Sequence, residues 1–225
     1  FVPAACALGL CYETGVGVER DLAHAVELYQ VGADAGYPPA ACNLGFCYYM
    51  GIGVDEDNKK AAHWFARAAK SGYPRALNLL GECYDRGFGV EQDLVRAVGL
   101  FQAASDRGEI AGTCSLGLCY ELGRGVDRDL DKAVALYRQA AESRDQAVAC
   151  QAQAMLFGRA MEEGDFAQAE ALLDRLPPQP LYDRAQMEAR LAQAKGDGDR
   201  AGQLLEQRAV PFAPRALRRV HRHNA

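Results

Sequence analysis

Apolar and small residues fall three and four positions apart from the start of the chain. Ala4, Leu8, Cys11 and Tyr12 would share one buried stripe of a helix. The pattern predicts a first helix from about Pro3 to Tyr12, ended by Gly15 and Gly17. A second stripe of Ala25, Leu28, Tyr29 and Gly32 predicts another helix, which starts at Asp21. A short carboxylate at that place can accept from the free N–H groups of the first turn and suits the helix dipole.

This helical hairpin then returns. Leu8-Gly9, Leu44-Gly45, Leu80-Gly81 and Leu116-Gly117 stand 36 residues apart. Tyr12, Tyr48, Tyr84 and Tyr120 keep step, as do the Gly-x-Gly pairs at 15/17, 51/53, 87/89 and 123/125. Asp21, Asp57, Asp93 and Asp129 follow in the same register. A fixed period of this length is the signature of a solenoid. The fold class expected is all-α, a right-handed α/α superhelix of helix-turn-helix repeats. Residues 1–147 divide into four units, at about 4–39, 40–75, 76–111 and 112–147. A glycine inside a helix costs about 1 kcal/mol relative to alanine. Its return in every unit points to close approach of the second helix. The Gly-x-Gly pair supplies the turn, Val18 plugs the base of the hairpin, and Gly36, Gly72 and Gly108 close second helices.

The pattern frays at Arg144, which replaces the closing glycine of the fourth unit. A longer helix is expected from Asp145 to Glu163, then one from Phe166 to Leu176, then a break at Pro177-Pro178-Gln179-Pro180. Helices from Leu181 to Lys195 and from Arg200 to Ala209 flank a Gly196-Asp197-Gly198-Asp199 turn. Residues 148–210 therefore read as two degenerate helix pairs that finish or cap the array. Residues 211–225 form a basic tail, with Arg215, Arg218, Arg219 and Arg222 and no acid, expected to be flexible and solvated. At the other end, Phe1-Val2-Pro3-Ala4 aligns with Tyr37-Pro38-Pro39-Ala40. That is the register of an earlier repeat's tail, and a natural N-terminal cap would give the same alignment.

Composition narrows the function classes. Hydrophobic residues make up 49% of the chain, enough for a continuous core. A net charge of -5 argues against a general nucleic-acid binder, which carries a basic face. No apolar run approaches the ~18 residues of a membrane span. The eight cysteines fall into two register classes, Cys11/Cys47/Cys83/Cys119 and Cys6/Cys42/Cys114/Cys150. Equivalent cysteines in successive repeats should lie ~8–10 Å or more apart, beyond disulfide reach. None shows Cys-x-x-Cys spacing. They read as small buried apolar residues of a reducing compartment, so a cytoplasmic location is expected.

No catalytic constellation emerges. Gly15-Val16-Gly17 follows a helix rather than a strand and lacks the third glycine of a phosphate loop. His24 and His63 fall on second helices with no nucleophile or carboxylate set placed beside them, and His221 and His223 lie in the tail. No cofactor and no metal are expected, and the chain is not expected to be an enzyme.

These residues resemble the Sel-one-like repeat (SLR), a relative of the tetratricopeptide repeat. Unit two carries nearly the whole pattern: Ala40, Leu44-Gly45, Tyr48, Gly51, Gly53-Val54, Asp57, Lys60-Ala61, Trp64-Phe65, Ala68-Ala69 and Gly72. The resemblance covers about residues 1–147. It implies a non-enzymatic scaffold or adaptor whose partner is a protein or peptide, not nucleic acid or membrane; a self-associating module is the alternative. A cysteine-rich secreted branch pairs a first-helix cysteine with one eight residues earlier. Here Asp34, Asp106 and Glu142 stand eight residues ahead of Cys42, Cys114 and Cys150, which removes that scheme. The branch is also linked to β-lactam chemistry, which would need an activated serine. Ser71, Ser105, Ser115 and Ser143 have no lysine three residues on.

By analogy with tetratricopeptide geometry, first helices line a groove. Its expected positions are Cys6, Leu10, Glu13 and Thr14 in unit one, and Cys42, Phe46, Tyr49 and Met50 in unit two. Unit three offers Asn78, Glu82, Asp85 and Arg86; unit four offers Cys114, Leu118, Glu121 and Leu122. They vary between units while the framework holds. Phe46, Tyr49 and Met50 suit an apolar anchor. Glu82, Asp85 and Arg86 form a polar stretch beside them, and Asn78 could bond a peptide backbone. The groove is therefore expected to take a peptide with an apolar anchor and a basic residue. The competing expectation is that Phe46 and Met50 pack against the next repeat.

Overall fold

Each aspartate that the period places ahead of a second helix caps it. Asp21, Asp57, Asp93 and Asp129 accept from the backbone N–H three residues on, at 2.9–3.0 Å. The computed structural model describes residues 2–144, 146–176 and 184–209. The expected break at 177–180, the start of the helix expected from Leu181, and the basic stretch 211–225 lie outside the described residues. Among those described, the chain is all-helical, and it divides into two compact units, Phe1–Ser143 and Arg144–Ala225.

The first unit holds α1 (Val2–Thr14), α2 (Leu22–Asp34), α3 (Pro38–Met50), α4 (Asn58–Ala69), α5 (Pro74–Arg86), α6 (Leu94–Ser105), α7 (Ile110–Leu122) and α8 (Leu130–Ala141). Each odd helix packs on the even helix that follows, and α2, α4 and α6 pack on the first helix of the next repeat. First helices also meet each other, α1 with α3 and α5 with α7. The result is a stack in which every layer is built the same way.

The mid-helix glycines explain the hairpin. A Cβ on Gly9, Gly45, Gly81 or Gly117 would stand 2.6–2.8 Å from the ring of Tyr29, Phe65, Phe101 or Tyr137. Those four rings are buried, at 0–2% exposure. A side chain at the glycine would push the two helices apart, so the expected close approach is what the structure shows. The second glycine of each turn serves a different contact. A Cβ on Gly53, Gly89 or Gly125 would run into the carbonyl oxygen of Leu22, Asn58 or Leu94, the first residue of the preceding second helix. These glycines also hold φ near +70° (69, 71 and 72), where other residues are strained. Gly15 and Gly17 too have positive φ, and a Cβ on Gly17 would meet nothing within 4 Å.

Unit one departs from its expected stripe. Leu8 is 42% exposed and Ala4 is exposed, whereas their counterparts Leu44 and Ala40 are fully buried. In later repeats the preceding second helix covers these positions; among the described residues no helix lies on that side of α1. A side chain from the second helix, a cation in three repeats and an imidazole in the first, rests on each framework tyrosine. Lys60 lies 5.0 Å over Tyr48, Arg96 4.4 Å over Tyr84 and Lys132 5.1 Å over Tyr120, while His24 meets Tyr12 edge-on at 4.5 Å.

The second unit holds α9 (Gln146–Glu163), α10 (Phe166–Arg175), α11 (Arg184–Ala194) and α12 (Gly198–Ala209), each packed on its neighbour in sequence. Its core includes Leu156, Phe157, Ala160, Ala169, Leu173 and Leu191. Asp165 and Asp197 cap α10 and α12 after Gly164 and Gly196, both with positive φ. Because Asp197 is the cap, α12 begins at Gly198, two residues before the expected start. Among the described residues no helix is long and apolar enough to cross a membrane.

Two glycines of one repeat provide a matched test. A Cβ on Gly81 would sit 2.6 Å from buried Phe101, whereas Gly99, inside α6, has nothing within 4 Å. Overpacking costs about 1–3 kcal/mol, against about 1 kcal/mol of helix propensity gained. Gly81→Ala should therefore lower stability by up to about 2 kcal/mol, and Gly99→Ala should raise it by up to about 1 kcal/mol. Urea unfolding of both variants reads the opposite signs; equal signs would remove the close approach as the reason for the glycine.

Candidate functional site

The face built by α1, α3, α5 and α7 has three layers of accessibility. Its first positions, Cys6, Cys42, Asn78 and Cys114, are buried. Phe46, Tyr49, Glu13, Glu82, Asp85 and Glu121 are half-buried. Leu10, Met50, Leu118 and Leu122 are open, at 51%, 56%, 37% and 56% exposure, and Thr14 and Arg86 are exposed as well. The first position of each set therefore belongs to the core. Asn78 is tied up there: its amide donates to Glu82 Oε1 at 2.9 Å, and its carbonyl oxygen accepts from Ser115 Oγ at 3.3 Å.

Several half-buried residues are matched across the stack by chemistry. Tyr29 donates to Glu13 at 2.6 Å, and Tyr137 donates to Glu121 at 2.7 Å. In the two middle repeats the ring position is Phe65 or Phe101, which has no hydroxyl, and the partner position is Tyr49 or Asp85. Tyr49 instead meets Phe88 at a tilt, with ring centroids 6.1 Å apart. Asp85 pairs with Arg124 at 2.9 Å, and the same guanidinium donates to the Asp85 carbonyl at 3.2 Å. Phe88 and Arg124 are the central residues of Gly-x-Gly turns. Each turn thus reaches back onto the first helix of the repeat before it.

Phe46 and Tyr49 lie 6.4 Å apart, centroid to centroid, which extends this contact into a row of three rings ending at Phe88. Arg75 lies 5.4 Å over Phe46, and Arg86 lies 5.8 Å over Phe88. Phe46 and Tyr49 also pack on the core, so part of each ring is structural. Phe88, Arg124 and Arg75 are not singled out by sequence reasoning. The available signal is the centre of the Gly-x-Gly turn, which changes from Val16 to Ile52, Phe88 and Arg124 while its glycines stay fixed.

Burial raises the Glu82 carboxyl above its ordinary range, with Asp85 adding to the effect; the Asn78 hydrogen bond and the Arg86 charge act against it. Burial likewise pushes the thiols of Cys42 and Cys47 up to about 12, and those of Cys83, Cys114 and Cys119 up to about 11. They stay protonated at neutral pH and act as small apolar residues. The phenols of Tyr29 and Tyr137 are also raised, first by burial and then by their glutamates. Among the described residues no three histidine, cysteine or acidic side chains come together as a metal site. In the second unit, a cleft of about 370 Å³ is lined by Glu170, Asp174, Arg184, Glu188 and Lys195. Two of its cations are paired, Arg184 with Glu188 at 2.7 Å and Lys195 with Glu170.

The Glu82 shift has a checkable sign. Its folded pKa is raised, so the neutral form favours folding, and that contribution is lost as pH rises through the folded value. Glu82→Gln keeps an acceptor for Asn78 and removes the ionisation. It should raise the urea midpoint at pH 7, with the gain shrinking as pH falls below the carboxylate range. A gain independent of pH would show that the carboxylate is not desolvated.

Comparison with known proteins agrees with this geometry. The Sel1 repeat model matches residues 2–37, 38–73, 74–109 and 111–145. A Sel1 repeat protein from Oxalobacter formigenes superposes with a TM-score of 0.76 at 29% identity, over 92% of this chain and 86% of that one. A protective antigen of uropathogenic Escherichia coli strains, which displays an SLR fold, superposes with a TM-score of 0.67 at 28% identity. That match covers 93% of this chain, which spans 50% of the antigen's length. No curated protein matches the chain. With four family repeats in phase and solved relatives of the same solenoid architecture, the chain belongs to the Sel1 repeat family.

Proposed function

We propose that the chain is a non-enzymatic adaptor that binds a peptide or protein segment on the face of its first helices. Sel1 repeat proteins are in general protein-interaction scaffolds, and this face is the surface that supports such a role here. One observation carries the reading: Leu10, Met50, Leu118 and Leu122 are open apolar side chains that share one face of the stack, beside half-buried Phe46 and Tyr49. Aligned exposed apolar residues with a polar border mark protein-binding surfaces. Glu82, Asp85 and Arg86 interrupt the row in the third repeat, which gives the face both anchors and a polar register mark.

The test uses residues outside the core. Met50→Gln/Leu122→Gln is compared with Val95→Gln, which alters a 72% exposed side chain on α6. All three proteins should show the same helicity by circular dichroism. In affinity capture, the double variant should lose a partner that the wild type and Val95→Gln retain. Its affinity for that partner should fall about 30-fold, the effect of losing ~2 kcal/mol at a hot spot. Light scattering identifies the case in which the partner is a second copy of the chain. Equal capture by all three proteins would remove this face as the site.

A further inference from the structure

Arg75 and Arg86 stand at the two ends of the aromatic row, 5.4 Å over Phe46 and 5.8 Å over Phe88. Among the described residues neither has a carboxylate within ion-pair distance. The nearby acids are engaged differently. Asp85 is neutralised by Arg124 at 2.9 Å, and Glu82 accepts from Asn78 at 2.9 Å. Glu82 also acts electrostatically with Arg86, and Glu109 and Arg75 both bear on the Cys42 thiol, without forming an ion pair. Among the described residues neither guanidinium donates a hydrogen bond to a side chain or carbonyl, so the N–H groups of both remain free for a carboxylate. The charges that lie on the aromatic row are therefore two guanidinium groups without an ion pair, which favours an acidic partner over the basic residue expected from Glu82 and Asp85 in the sequence.

The geometry points to a partner segment that sets one large apolar side chain on the Phe46–Tyr49–Phe88 row, with a carboxylate on each side, one toward Arg75 and one toward Arg86. This rests on the first-helix face being the binding surface. A displayed library of random twelve-residue peptides, panned on the full 225-residue chain, tests both levels, with affinities of enriched peptides read by fluorescence anisotropy. Enriched peptides should carry Asp or Glu on both sides of a large apolar residue. Their binding should weaken about tenfold or more on Arg75→Glu/Arg86→Glu, since hydrogen bonds to charged groups are lost, and it should weaken with added salt. It should also weaken on Tyr49→Ala, with helicity verified, and on Met50→Gln, which leaves the core untouched. Peptides that depend on Tyr49 and Met50 but are neutral or basic, or that ignore the charge reversal, would overturn the acidic partner and leave the face standing. No enrichment, or binding indifferent to Tyr49 and Met50 as well, would overturn both.

Discussion

The contact on which the first unit depends is a ring laid against a bare helix backbone. In each repeat the second helix presents Tyr29, Phe65, Phe101 or Tyr137, and the first helix leaves a glycine under it. The ring is one of the larger buried side chains of the layer, so the missing Cβ converts directly into helix proximity. Once that distance is set, the remaining framework follows. The Asp cap starts the second helix in register, and the glycine turn lets the next repeat sit on the carbonyl at that helix's start. Each layer buries its own faces and depends on its neighbours for the rest, as quasi-one-dimensional folds do.

A framework fixed in this way leaves other positions free to change. On the first-helix face the changes come in compensating sets. A tyrosine hydroxyl appears where a glutamate can accept its hydrogen bond, at Tyr29–Glu13 and Tyr137–Glu121, and is absent where the facing residue is Tyr49 or Asp85. Those two are met by Phe88 and Arg124 from the following turn. Half-buried polarity is thereby satisfied within the chain, while open side chains such as Met50, Leu118 and Leu122 are left unmatched. That division separates residues that hold the stack from the open residues that the proposed partner would meet.

Much of the fold was legible in the sequence because four in-phase copies separate framework from variation. Helix pairs, aspartate caps, closing glycines and buried cysteines all reflect local spacing, and spacing is what a period reveals. The candidate face was less legible. Its pairings link residues 39 apart, as between Asp85 and Arg124, and change chemistry from layer to layer. No single repeat shows that Phe88 or Arg124 leaves its turn to reach the previous helix. Asn78 aligns with the groove positions and reads as an open amide; it is bonded to Glu82 one turn on in α5, and the packing of α5 against α7 adds Ser115. Ala4 and Leu8 failed for the opposite reason: their pattern matched later repeats, but the covering helix is supplied by a preceding layer.

On the proposed reading, partner contact falls on the first helices while the second helices keep the stack. Hydrogen–deuterium exchange of the full chain, with and without a bound partner, tests it most directly. The predicted result is new protection in α3 and α5 and in the turn around Phe88, with α2, α4 and α6 unchanged. Protection confined to the second helices, or to residues 146–209, would contradict it.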